Sequence, residues 1–225
     1  MSASYMMKNR SPEFTIMHDY VQSFMDKLGV LERIAARVSK EQTEYLTDLS
    51  DWGPIFTLWS NSEDQLVTSL LAMSSTVEKC CEALKEVIES TDDHFTQPLK
   101  EYVLYCEAIK AVLRKRDAIQ SEYDLTIEEL NKKKDEKESV KISDQTYSIG
   151  AFLGKDPEDV KQQKQEKLEQ QIIDLTKQME NLNDKTTCAD TDLRADMERW
   201  HKTKQKDLKE IFMDAADRQV QYYEK

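Results

Sequence analysis

The sequence predicts an all-α protein, an elongated three-helix antiparallel coiled-coil bundle. Three observations carry this. The 225 residues hold only four glycines and four prolines, against roughly 27 at average usage; sandwiches, barrels and βαβ arrays need far more turn residues. Charged residues make up 34% of the chain and apolar ones 39%, a profile of long amphipathic helices. Apolar positions also recur by threes and fours along most of the length.

The few prolines and glycines fall in clusters that divide the chain into three helices, at about 12–51, 61–138 and 157–225, after a linker remnant at 1–11. Ser11-Pro12-Glu13 supplies a capping hydroxyl, a proline at the first helical position and an early acid. Met17, Val21, Phe24, Leu28, Leu31, Ile34 (or Ala35), Val38, Tyr45, Leu49 and Trp52 form one stripe on the first helix. Gly53-Pro54 is expected to stop it, and Ser60-Asn61-Ser62-Glu63 reads as a capping box that starts the second. There Leu66, Leu70, Met73, Val77, Cys80, Leu84 and Val87 alternate by four and three, the seam of a coiled coil. Pro98 falls inside this helix and should bend it, because it removes a backbone donor. Gly150 and Gly154 lie in a tip loop at 139–156, and Asp156-Pro157-Glu158-Asp159 restarts the chain. Leu168, Ile172, Leu175, Met179 and Leu182 repeat the seam in the third helix, and Ile211, Ala215 and Tyr222 extend it.

At 1.5 Å per residue these helices run to roughly 60, 115 and 105 Å, whereas a compact globule of this mass is about 35–40 Å across. A thin rod buries little apolar surface alone. The aromatic-rich first helix is therefore expected to meet a second chain, through Phe14, Tyr20, Phe24, Leu28, Tyr45 and Trp52, giving a six-helix centre with two arms.

The net charge is −12, unevenly spread: residues 1–40 carry 6 basic and 4 acidic groups, and residues 41–99 carry 2 and 12. Residues 100–137 carry 9 of each, and 138–225 carry 15 and 19. Duplex-nucleic-acid binders show a basic domain instead, so no nucleic acid is expected. The four glycines form no phosphate-cradling motif. Cys80, Cys81, Cys106 and Cys188 include no C-x-x-C and read as reduced thiols, with no metal, cofactor or catalytic constellation. His18, His94 and His201 stand far apart and read as surface or boundary residues. Asn9-Arg10-Ser11 matches a glycosylation sequon that a cytosolic chain leaves unused. No apolar run approaches the ~18 residues of a membrane span.

Particular stretches carry a resemblance. Asp51-Trp52-Gly53-Pro54-Ile55-Phe56-Thr57-Leu58-Trp59-Ser60 resembles the helix 1–2 junction of BAR-domain sorting nexins. So do Glu101-Tyr102-Val103-Leu104-Tyr105, Leu113-Arg114-Lys115-Arg116-Asp117, Asp192-Leu193-Arg194-Ala195-Asp196-Met197-Glu198-Arg199-Trp200 and the final Val220-Gln221-Tyr222-Tyr223-Glu224-Lys225. The likeness covers about 8–225 and is nearest the subgroup of sorting nexins 7 and 30, with sorting nexin 4 more distant. It implies a BAR module, peripheral on early endosomes in the cytoplasm, that dimerises and binds, senses or shapes curved membranes in protein transport. The implied partners are anionic phospholipid and a second BAR-type sorting nexin, the same chain or another such as sorting nexin 4. The family's phox-homology domain, which binds phosphatidylinositol 3-phosphate, has no counterpart here, and its linking amphipathic helix survives at most as Tyr5, Met6 and Met7. The family also continues beyond Tyr222-Tyr223-Glu224, so the chain reads as a fragment or short isoform, with a tip loop longer than its relatives'.

Four basic groups are candidates for the membrane face. Arg199, Lys202, Lys206 and Lys209 share one face of the third helix; they meet lipid, or they pair with Glu89, Asp92 and Asp93 if residue 204 lies beside about residue 91. Arg114-Lys115-Arg116 sits midway along the second helix, where at most two can face one surface. Lys132-Lys133-Lys134 lies near the tip, and Lys161, Lys164 and Lys167 stand across the hairpin from it. Tyr147, Ile149, Phe152 and Leu153 in the loop form either a membrane wedge or a disordered stretch. The other functional reading is a dimeric coiled-coil scaffold with no direct lipid affinity, which the net charge favours.

Overall fold

The structure is a computed structural model that describes residues 11–142 and 157–224. Tyr5, Met6, Met7, Tyr147, Ile149, Phe152, Leu153 and Lys225 lie outside the described residues. Apart from Ser11, Asp51 and residues 61–66, everything described is helical. The order is α1 (Pro12–Ser50), α2 (Trp52–Ser60), α3 (Val67–Thr91), a π-helical turn (Asp92–Thr96), α4 (Gln97–Ile142) and α5 (Pro157–Glu224). The all-α class and the three long helical stretches match the sequence expectation.

Two boundary expectations are corrected. Gly53-Pro54 does not end the first helix; α1 stops at Ser50, and both residues lie in the first turn of the short helix α2. A proline near a helix start loses no intrahelical bond, because the first turn's N–H groups have no such partner. Ser60-Asn61-Ser62-Glu63 is likewise no capping box. Ser60 ends α2, its hydroxyl donating to the Thr57 carbonyl at 2.8 Å, and Ser62 donates back to Trp59 at 2.9 Å. α3 begins six residues later than expected, at Val67, behind Leu66, which supplies no side-chain cap.

Pro98 stands at the second position of α4, directly after the π-helical turn. The wider turn closes on itself through the Gln97 N–H, which donates to the Asp92 carbonyl. A proline ring clashes with the carbonyl four residues back, here His94, which is inside the widened turn. The irregularity read from Pro98 is thus a π-helical insertion.

The chain divides into two compact units, each with its own packing. One comprises Glu13–Lys110 and Glu198–Lys225, the other Ala111–Met197. In the first, α1 buries Phe14, Val21 and Leu28, a strict seven-residue repeat, and α3 buries Leu70, Val77 and Leu84 in the same way. Leu28 packs on Leu99 and Tyr102, bordered by Phe24, Phe95, Val103, Leu208 and Ile211. α2 lies on α3, held by Ser74: its hydroxyl donates to the Gly53 carbonyl at 3.0 Å and sits 2.9 Å from the Thr57 hydroxyl. In the second unit, Leu113, Leu130 and Val140 of α4 are buried, as are Leu168, Leu182, Leu193 and Met197 of α5. Thr126 and Thr186 are buried with them, each donating to the carbonyl four residues back at 2.8 Å.

The antiparallel register differs from the one expected. Ser90 meets Arg218 and Tyr102 meets Asp207 in the first unit; Arg116 meets Asp190 in the second. Lys204 therefore lies near Cys106 and not beside residue 91. α4 extends to Ile142, four residues past the expected end, so a count from the middle of 139–156 starts from the wrong point.

Candidate functional site

The basic groups named from the sequence have different fates. Arg114 and Lys115 are exposed, but Arg116 keeps only 4% of its surface. Its Nε donates to Asp190 Oδ1 at 2.7 Å and Nη2 to Oδ2 at 3.3 Å, a two-pronged clasp across the hairpin. Gln120 Oε1 and Asp117 Oδ1 accept from the same guanidinium at 3.2 and 3.4 Å. Arg116 is therefore part of the seam and is withdrawn as a membrane candidate. A run of three cations cannot be sorted from sequence without knowing which position faces the partner helix.

Near the other end of α4, Lys132 and Lys134 are exposed. Lys133 donates to Glu136 Oε2 at 3.3 Å, and Lys164 of α5 reaches Glu136 Oε1 at 3.5 Å. Those two lysines hold the Glu136 carboxyl below the usual range, the hydrogen bond from Lys133 foremost. Lys137 bridges to Glu169 at 3.1 Å. Lys161 is half-buried and engaged, and Lys167 is exposed.

The stripe on α5 does not pair with Glu89, Asp92 and Asp93 as the alternative had it. Lys202 binds Glu198 at 2.8 Å and Lys206 lies 3.9 Å from Glu210, both along their own helix. Arg199 and Lys209 are exposed, Arg199 with a partner of its own. Ion pairs this exposed contribute about 0–1 kcal/mol, so the lysines can exchange them for a phosphate at little cost.

Of the aromatic and apolar candidates, Phe14 and Leu28 are buried in the chain's own core and cannot meet a partner. Phe24 is half-buried. Tyr20, Tyr45 and Trp52 remain 40%, 58% and 54% exposed. Leu31, Ile34 and Val38 of α1, Ile55, Leu58 and Trp59 of α2, and Leu66 and Met73 are exposed as well. Met73 and exposed Cys80 are the unfilled half of the α3 repeat whose other half, Leu70, Val77 and Leu84, is buried.

One cluster was not legible in the sequence. Lys204 is 5% exposed and sits over three rings, at 4.6 Å from Tyr20, 4.8 Å from Phe24 and 4.4 Å from Trp200. Its ammonium donates to the Tyr20 hydroxyl and lies 3.2 Å from His201 Nδ1. The signal was the spacing of Tyr20 and Phe24 on α1 against Trp200, His201 and Lys204 on α5, but only the register joins them. Burial, and then Lys204, push His201 below the ordinary imidazole value. Cys106 is fully buried beside it, its thiol pushed up to about 11 by burial, partly offset by Lys204 and Lys110. His18 lies 3.2 Å from Asp19, and His94 is exposed. Among the described residues no group of His, Cys, Asp or Glu is arranged to hold a metal ion, and no helix is long and apolar enough to cross a membrane.

Long amphipathic helices joined along an antiparallel seam define an all-α coiled-coil protein. Over its 225 residues the chain is 35% identical to sorting nexin-30 of Xenopus tropicalis, covering 43% of that protein. It is 32% identical over 218 residues to sorting nexin-7 of Homo sapiens, covering 47%, and 25% identical to sorting nexin-4 of Homo sapiens, covering 50%. No family model matches the chain. The chain is similar along its whole length to sorting nexins and spans half or less of the curated relatives it matches.

Proposed function

We propose that the chain is the dimerising, membrane-facing module of an endosomal trafficking protein, a BAR-type module that binds and shapes curved anionic bilayers. Its relatives, all named as sorting nexins, support the trafficking role. The observation that carries membrane contact is a set of exposed basic side chains outside the strongest acidic block of the sequence. The acidic block at 41–99, net −10, belongs to the unit Glu13–Lys110 with Glu198–Lys225. Lys132 and Lys134, with Arg114 and Lys115, are exposed in the other. A basic side chain near an anionic surface contributes about 1 kcal/mol, so a few acting together suffice for salt-sensitive, reversible binding. Two copies associate through the exposed face of α1, α2 and α3, and the partner is a second copy or another BAR-type sorting nexin.

Flotation on phosphatidylserine-rich vesicles at low and high salt tests this reading. The wild-type chain should float at low salt, and the triple variant Lys132→Glu, Lys133→Glu, Lys134→Glu should not, with helicity unchanged. The net charge of −12 and the ion pairs at Lys133, Lys164, Lys202 and Lys206 favour the other reading, a coiled-coil scaffold without lipid affinity. Failure of the wild type to float at low salt establishes that one. Loss of flotation on charge reversal at Arg199, Lys202 and Lys206, but not at the tip, would move the membrane face to α5.

A further inference from the structure

The Lys204 cluster is built so that one proton disturbs it. Lys204 Nζ has no lone pair when charged, so at 3.2 Å from His201 Nδ1 it must donate. The imidazole is then neutral, with its own proton on Nε2. Protonating Nδ1 removes the acceptor and sets two cations face to face at that distance. The groups around them offer no relief. From α1 the cluster meets the Tyr20 hydroxyl, already bound to Lys204, and the Tyr20 and Phe24 rings. Asp19, next along α1, is exposed and held by His18. From α4 it meets Cys106, buried, and Lys110, itself a cation and bound to Gln22. On α5, Glu198 is bound to Lys202 and Asp207 accepts from Tyr102 at 2.6 Å. Among the described residues no carboxylate reaches Lys204 or His201. His201 is nevertheless only half-buried, with its ring 5.0 Å from Tyr20, so it is open to protonation.

We infer that His201 is a protonation latch on the joint between α1 and α5, closed when neutral and loosened in mildly acidic solution by repulsion from Lys204. The folded chain resists the proton that the unfolded chain accepts, so the stability it holds above the ordinary imidazole value near 6.5 falls away as the pH drops below it. Aspartates and glutamates titrate lower, near 4, and pH 7.5 to 5.5 therefore isolates the histidines. The latch needs only contacts within one chain and holds whether or not the protein binds lipid.

Thermal melts of the 225-residue chain from pH 7.5 to 5.5, at fixed ionic strength and protein concentration, test it. The wild type should lose about 2–4 °C more than His201→Gln across this range, the shift expected of one ionisation in a chain this long. Hydrogen exchange, corrected for intrinsic rates, should show α1 between residues 12 and 30 losing protection at pH 5.5 in the wild type alone, while α3 keeps its own. His18→Gln and His94→Gln should behave as wild type. Lys204→Met, if it folds, should abolish the step by removing the opposing cation; if it does not fold, the His201→Gln profile still decides. Parallel pH profiles for wild type and His201→Gln, or a step that disappears with His18 or His94 instead, would overturn the inference.

Discussion

Arg116 gives the sharpest test of the seam in the two-helix unit. Replacing it with Met keeps the length and apolar stem while removing the guanidinium. Asp190, 19% exposed, then loses its partner, and Asp117 and Gln120 lose a donor. Breaking a buried ion pair costs about 3–5 kcal/mol, and the residual solvent at Asp190 puts this one at the lower end, about 3 kcal/mol. At about 2–4 °C per kcal/mol for a chain of this size, the melting temperature should fall by about 6–12 °C. Asp190→Asn should cost less, about 1–2 kcal/mol, since the guanidinium keeps Gln120 and Asp117. The double variant Arg116→Met, Asp190→Leu should recover most of the loss, because an apolar pair in a coiled-coil seam replaces a buried salt bridge well. Urea melts of wild type, both single variants and the double variant at one protein concentration give the coupling energy. A loss below about 0.5 kcal/mol for Arg116→Met, the value of a solvated surface pair, would refute the burial and return Arg116 to the membrane candidates.

Other outcomes follow from the first unit. Tyr102→Phe removes a 2.6 Å bond to Asp207 in a buried site and should cost about 1.5–3 kcal/mol by urea titration. Burial and Asp207 push the Tyr102 hydroxyl far above the ordinary tyrosine value, so it should be the last tyrosine to ionise when absorbance is followed in alkali. Maleimide at pH 8 should modify exposed Cys80 quickly, exposed Cys188 more slowly because its hydrogen bond to Asp192 and that carboxylate's charge push its thiol up, and spare Cys106 until the chain unfolds. The Cys106 thiol is raised in the folded state, so its contribution is intact below the ordinary thiol value near 8.5 and is lost as the pH climbs towards about 11. Cys106→Ala should flatten that alkaline decline.

The starts of the first and third helices were legible because Ser11-Pro12 and Pro157 act locally, through a fixed φ and a missing donor. The buried repeats of α1 and α3 were legible through their spacing. The break near residue 60 was not, because the Ser60 and Ser62 hydroxyls donate backwards to the Thr57 and Trp59 carbonyls where a capping box reaches forwards. Spacing also could not say which half of a stripe the chain itself covers. Val21 and Leu28 are covered, while Tyr45 and Trp52, on the same predicted stripe, are not. The fates of Arg116 and Lys204 depend on the helix lying opposite, and a register error of a dozen residues hid both.

The charges across the two-helix unit have a consequence for how the hairpin closes. Seven-residue repeats invite misalignment, since sliding one helix by a heptad still matches apolar against apolar. Here such a slide meets a penalty at two places at once. Arg116 would trade Asp190 for Asn183 or Met197, and Lys137 would trade Glu169 for Gln162 or Thr176. Neither alternative offers a carboxylate to either cation. A chain that zips in the wrong phase thus loses the Asp190 clasp and leaves its interior arginine only Asp117 and Gln120 of the same helix, which favours the native alignment.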